Sequence, residues 1–148
     1  MIDDLYSDRI LRLAANMPRA GRLAQPHGTA EKTAKLCGSR ITVDVRLEDG
    51  RIADFAQEVK ACALGQAAAA VVGANVVGAT VDEVRAARDA FRLMLKQGAP
   101  APTGRFADLG VLAPVRDFPP RHASTLLALE ATVAAVDAAA APAARQVA

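Results

Sequence analysis

A chain of 148 residues with 18 basic and 16 acidic side chains is too evenly balanced, at a net charge of +2, to mark a nucleic-acid or membrane-surface binder, and four Phe, one Tyr and no Trp give few rings for base stacking. The length suits one domain that buries a hydrophobic core without staples. Two cysteines make no disulfide framework, the opening MIDDLYSDRI lacks the basic start of a secretory leader, and no charge-free run of about 18 apolar residues occurs, so reduced thiols, a cytoplasmic location and no membrane span are expected.

Residues 3–16 read as a helix, with Tyr6, Ile10 and Leu13 on one stripe, Asp3 and Asp4 at the positive end of the dipole, and Pro18 as the stop. Residues 18–30 read as a loop punctuated by Pro18, Gly21, Pro26 and Gly28, and Thr33 to Leu36 as a short strand. Ile41, Val43, Val45 and Leu47 alternate with Thr42, Asp44, Arg46 and Glu48, the pattern of a half-buried strand. Asp49-Gly50 then signals a tight hairpin. Arg51 to Lys60 returns, and because Ile52 and Phe55 differ in parity a bulge is predicted near Asp54.

Leu64 to Val77 is small and apolar, a buried helix interrupted by Gly73 and ended by Gly78. Thr80-Val81-Asp82-Glu83 is a capping-box pattern opening a helix to about Gln97, with Val84, Ala87, Phe91 and Met94 as its buried stripe and Gly98 and Pro100 as its end. Residues 98–119 read as a long proline-rich loop, and a last helix starts near Pro120 with Leu126, Leu129, Val133 and Val136 facing inward. The expectation is an α+β fold: a small antiparallel sheet of about three strands, an N-terminal helix and three C-terminal helices, with helices packed on one face. Residues 1–137 form the single domain, and 138–148 an Ala/Pro-rich tail expected to be disordered.

The hairpin register has a chemical consequence. Counting outward from Glu48 opposite Arg51, Cys37 falls nominally opposite Cys62, at the end of the sheet away from the turn, and a bulge shifts this by one residue. Cys62 also precedes a helix, whose free N–H groups and dipole favour a thiolate. Gly38 and Gly65 let a ligand or another backbone come close. Two thiols at one open end suit zinc or an iron–sulfur cluster, whereas the plain alternative is two cysteines packed as small apolar side chains. A Cys62–His122 nucleophile pair has no third group to orient it.

The stretch KLCGSRITVDVRLEDGRIADFAQEVKACALGQAAAA, followed by LGVLAPVRDFPPRHASTLLALEA, resembles the U-type iron–sulfur cluster scaffold family over roughly residues 5–136. Cys37 and Cys62 match the family's first two cysteines by position. Ser39 stands where the family has an aspartate, Ser124 aligns with its third cysteine, and His122 lies one residue from the histidine of one branch. The long loop before Phe118 is similar to the inserted segment of the sulfur-mobilisation branch. In the family the third cysteine accepts sulfur from a cysteine desulfurase, a role a serine hydroxyl does not take over.

The resemblance implies a scaffold or carrier, not an enzyme, that holds a labile iron–sulfur cluster, [2Fe–2S] foremost, or iron or zinc, and passes it to apo iron–sulfur proteins. Cys37 and Cys62 are the expected ligands and His122 the third, with Ser39 and Ser124 weaker. Four ligands are needed, so the set closes with Ser124, a carboxylate such as Asp108 or a water, or two chains contribute two thiolates each in a cluster-bridged homodimer. The competing readings are a docking or regulatory partner of a cysteine desulfurase that kept only the fold, and a protein with a closed structural zinc site. His27, Arg116 and Arg121 are expected to be solvated.

Overall fold

Three antiparallel strands, β1 (Gly28–Ala34), β2 (Ser39–Glu48) and β3 (Arg51–Lys60), form one sheet in the order β1-β2-β3. The computed structural model describes residues 6–140. The alternation read in β2 sets the sheet's inner face: Ile41, Val43, Val45 and Leu47 are all buried. The β2–β3 turn has positive φ at both Asp49 (53°) and Gly50 (76°), the paired left-handed geometry that Asp-Gly favours. The predicted bulge is present. Leu47 pairs with Ile52 and Arg46 with Asp54, so Ala53 is the extra residue, and from there the register runs shifted by one to Arg40 opposite Lys60.

β1 starts earlier than the sequence indicated, taking residues 28–30 from the expected loop and stopping at Ala34 instead of Leu36. Its sequence GTAEKTA has no strong apolar alternation; the strand exists because β2 offers it a partner, from Gly28 opposite Val45 to Ala34 opposite Ser39. The preceding segment also joins the sheet, at β3. Ala20 bridges to Gln57 in parallel, and the buried Asp44 carboxylate accepts from Arg22 Nε (2.7 Å), Leu23 N (3.0 Å) and Thr29 Oγ1 (2.6 Å). Burial pushes Asp44 toward its neutral form, but these donors outweigh it and hold its carboxyl below the usual range.

Helix α1 (Asp8–Ala15) is capped by Ser7, whose hydroxyl accepts from Ile10 N at 3.3 Å. Ile10 is buried and Leu13 packs on the core, but Tyr6 is exposed and does not extend the stripe; residues 3–5 of the predicted helix lie outside the described residues. Helix α2 (Ala63–Asn75) runs through Gly73 without interruption. A Cβ there would lie 2.6 Å from Gln57 Nε2 and 2.9 Å from the Pro18 carbonyl, so that glycine makes room for a neighbour. Helix α3 (Val81–Gln97) has the reciprocal Thr80–Glu83 capping box, buries Val84, Ala87, Phe91 and Met94, and ends at a left-handed Gly98.

The long loop is ordered by its own apolar residues. Gly104–Asp117 winds into 3₁₀ turns that bury Phe106, Leu109, Leu112 and Val115 against the α1, α2 and α3 helices. Pro119–Arg121 adds one more turn and leads into α4 (His122–Ala140). Leu126, Leu129, Val133 and Val136 are buried as expected, but α4 is apolar nearly all round, because β1, β2, α2 and α3 surround it. With the turn before it, α4 is long and apolar enough to cross a membrane by length and composition, which the search for a charge-free run missed; it sits in the core, about two-thirds buried. Ala138 to Ala140 complete α4, and the rest of the predicted tail lies outside the described residues.

Candidate functional site

The end of the sheet away from the Asp49-Gly50 turn gathers three chain segments. β1 and β2 are joined by a four-residue turn, Lys35 to Gly38, closed by Gly38 N donating to Ala34 O at 2.9 Å with Gly38 at φ 70°. This turn holds Cys37 exposed at its tip, and Ser39, the first residue of β2, is buried behind it. Cys62 follows β3 and is the N-cap residue of α2; its side chain makes no capping hydrogen bond, and it is half-buried. Ser124, in the first turn of α4, is buried with its hydroxyl donating to the Arg121 carbonyl at 3.2 Å.

These four side chains form two close pairs. Cys37 Sγ lies 2.9 Å from Ser39 Oγ, and Cys62 Sγ lies 3.6 Å from Ser124 Oγ. Ser124 is also among the groups that lower the Cys37 thiol, so the two cysteines belong to one neighbourhood. Gly65 permits this approach. A Cβ there would sit 3.0 Å from the Ser124 carbonyl, so only glycine lets α2 begin this close to α4. Of the two glycines expected to admit a neighbour, Gly65 does so, whereas Gly38 has nothing near its Cβ position and is needed for its positive φ.

Electrostatics favour the thiolate at the turn. The Ser39 hydroxyl holds the Cys37 thiol below its usual range, outweighing the opposing cost of desolvation, with lesser help from the Ser39 backbone and Ser124. An exposed thiol with hydroxyl donors around it can bind a soft metal or attack an electrophilic sulfur. That activation by Ser39 is local, two residues along the chain, yet a reading that treats Ser39 only as a replaced ligand does not find it.

His122 is placed otherwise than expected. It is buried, and its Nε2 faces the carbonyls of Val115 (3.0 Å) and Arg116 (3.1 Å), tying α4 to the end of the 3₁₀ segment. Among the described residues no three His, Cys, Asp or Glu side chains come together as a metal site. His122 is therefore not gathered with the two cysteines, and a Cys62–His122 nucleophile pair is not formed. Asp108 is exposed and paired with Arg9 at 3.5 Å, because the loop carrying it packs on the helices instead of folding over the thiols. His27 is half-buried, not solvated, with Nδ1 accepting from Leu47 N at 3.0 Å. Arg116 and Arg121 are exposed, as expected.

The chain is similar to known proteins over most of its length. The profile of the family described as NifU-like N terminal domain matches residues 5–125. The iron–sulfur cluster assembly scaffold protein IscU of Thermotoga maritima is 25% identical over 124 residues, covering 84% of this chain and 87% of that one. The crystal structure of a nitrogen-fixing NifU-like protein (N-terminal) from Brucella abortus superposes with a TM-score of 0.91 at 54% identity, covering 93% of this chain and 96% of that one. A putative iron–sulfur cluster assembly scaffold protein for the SUF system from Fervidobacterium islandicum AW-1 shares the fold, with a TM-score of 0.82 at 21% identity over 89% of this chain and 96% of that one.

Proposed function

Because the chain belongs to the NifU-like N-terminal domain family, whose members are iron–sulfur cluster assembly scaffolds, we propose that it carries a labile cluster as cargo on Cys37 and Cys62 and hands it to apo iron–sulfur proteins. The observation that supports this is the placement of both cysteines at one open end of the sheet, Cys37 against Ser39 and Cys62 against Ser124. The donor set decides the form of the complex. One chain offers two thiolates and two hydroxyls, and a [2Fe–2S] cluster wants four ligands of the thiolate kind. Two copies, each giving Cys37 and Cys62, complete that set, and the Ser39 hydroxyl then donates to the Cys37 sulfur.

This reading makes the chain a carrier and not an enzyme. Sulfur from a cysteine desulfurase would reach Cys37, since its sulfur is the exposed one. A weakly shared, solvent-facing cluster is also one that an acceptor protein can remove.

The test is anaerobic reconstitution with ferrous iron and sulfide, followed by iron, acid-labile sulfide and mass measured on one sample. The expected result is one cluster per two chains, thiolate-to-iron absorption that Cys62→Ser removes, and a shift toward one cluster per chain in Ser124→Cys. Wild-type protein that retains neither iron nor sulfide ends the proposal, and zinc at one per chain without sulfide replaces it with a structural zinc site.

A further inference from the structure

A depression of about 320 Å³ lies between the end of β1, the end of α3 and the first turns of α4, and it has no part in the cluster's ligand set. Lys32 and Lys96 stand on two of its walls, and Ala34, Ala123, Leu126 and Leu127 give it an apolar lining. Both lysines are exposed, and neither forms an ion pair among the described residues. The acid on its rim, Glu130, is already taken by Arg92. The segments around it, 32–40, 93–104 and 118–129, contain no Asp or Glu.

Two of the walls lead to the thiols. The Ala34 carbonyl is 3.9 Å from the Cys37 sulfur. Ala123 precedes Ser124, whose hydroxyl is 3.6 Å from the Cys62 sulfur. Of the two sulfurs, the exposed one is Cys37, and Cys62 is half-buried. The charges and shape are complementary to one kind of occupant. Two ammonium groups on flexible stems, on separate walls of an apolar floor, suit a small molecule with two separate carboxylates and a methylene body. The exposed sulfur at the edge suits sulfur in that molecule. A nucleotide fits less well, because no aromatic ring lines the depression to stack on its base.

We infer that the depression and Cys37 together form a modification site for a dicarboxylate thiol peptide of the glutathione class, delivered as its disulfide. The step is thiol–disulfide exchange. The Cys37 thiolate attacks one sulfur of glutathione disulfide, the S–S bond of that disulfide breaks, and a Cys37–glutathione disulfide bond forms. The glutathione thiolate that leaves takes up the proton Cys37 gave up. Cys37 is thereby oxidised and the departing half of the disulfide reduced. Excess reduced glutathione reverses the exchange. The consequence rests on the scaffold reading: the adduct occupies one of the two thiolates that the cargo needs, so an oxidised thiol pool turns uptake off and a reduced pool restores it.

The test incubates the full chain, reduced and free of metal, with glutathione disulfide or with the uncharged disulfide of mercaptoethanol, and follows each cysteine by site-resolved mass spectrometry. Cys37 is expected to take up one glutathionyl group well before Cys62 does. Lys32→Glu with Lys96→Glu should slow the reaction with glutathione disulfide about tenfold or more, while the rate with the uncharged disulfide changes little. That second rate also shows that the turn and its thiol are intact in the double variant. Equal glutathione rates in wild type and variant, equal slowing with both disulfides, an adduct formed first on Cys62, or a Cys37–Cys62 disulfide in place of the adduct overturns the inference. Cluster uptake by the unmodified chain from iron and inorganic sulfide tests the scaffold reading separately, because the labelling needs no iron.

Discussion

The two turns of the sheet are built from similar material and treated in opposite ways. At one end the Asp49-Gly50 turn is braced by the α2–α3 connection: Ile52 N donates to Ala79 O and Gly78 N to Ile52 O, both at 2.8 Å, and Arg51 donates to Gly78 O at 2.9 Å. At the other, the Lys35–Gly38 turn is closed only by its own backbone and leaves Leu36 and Cys37 in solvent. The braced end spends its polar groups on the fold. The open end keeps an exposed thiol and an exposed leucine facing solvent, which is the condition for binding something else.

Three substitutions sharpen that contrast, from the largest expected effect to the smallest. Gly65→Val should cost about 1–3 kcal/mol by overpacking against the Ser124 carbonyl, and it should also separate Cys62 from Ser124. Chemical denaturation together with the iron content after reconstitution checks both parts, and full stability with normal iron uptake would contradict the packing described here. Gly50→Val places a branched residue at φ 76° and should cost about 1–2 kcal/mol at the braced end. Its alkylation rate at Cys37 should equal that of the wild type; a changed rate would mean the two ends are not independent.

Ser39→Ala is the mildest and the most specific. The hydroxyl lowers the Cys37 thiol, so the wild type holds more thiolate at neutral pH and alkylation sets in at a lower pH. Removing it should slow iodoacetamide labelling of Cys37 severalfold at pH 7, and move the midpoint of the rate–pH curve upward, with little change in stability. Site-resolved mass spectrometry reads this directly. An unmoved midpoint would remove Ser39 from the account.

Much of this was legible in the residues, for reasons that can be named. The β2 alternation, Asp49-Gly50, the Thr80–Glu83 box and Gly98 are local signals whose meaning depends on a few neighbours, and each appears where it was read. The bulge came from a parity mismatch and moved the cysteines by one register step, which left them at the same end. β1 has no such local signal, because its stability comes from pairing with β2. The 98–119 stretch shows only its prolines to a sequence reading, because the 3₁₀ segment is held by Phe106, Leu109, Leu112 and Val115, whose spacing has meaning only against the helices they cover.

The order of elements and the placing of both cysteines at one end of the sheet were determined by the sequence, since a hairpin turn and its register propagate along paired strands without help from the rest of the molecule. The roles of the side chains around those thiols were decided only by the tertiary structure. His122 became a tie to the Val115 and Arg116 carbonyls and Ser124 the hydroxyl beside Cys62, because α4 brings its first turn to the sheet from a position more than 60 residues downstream of Cys62 through packing that no local pattern encodes.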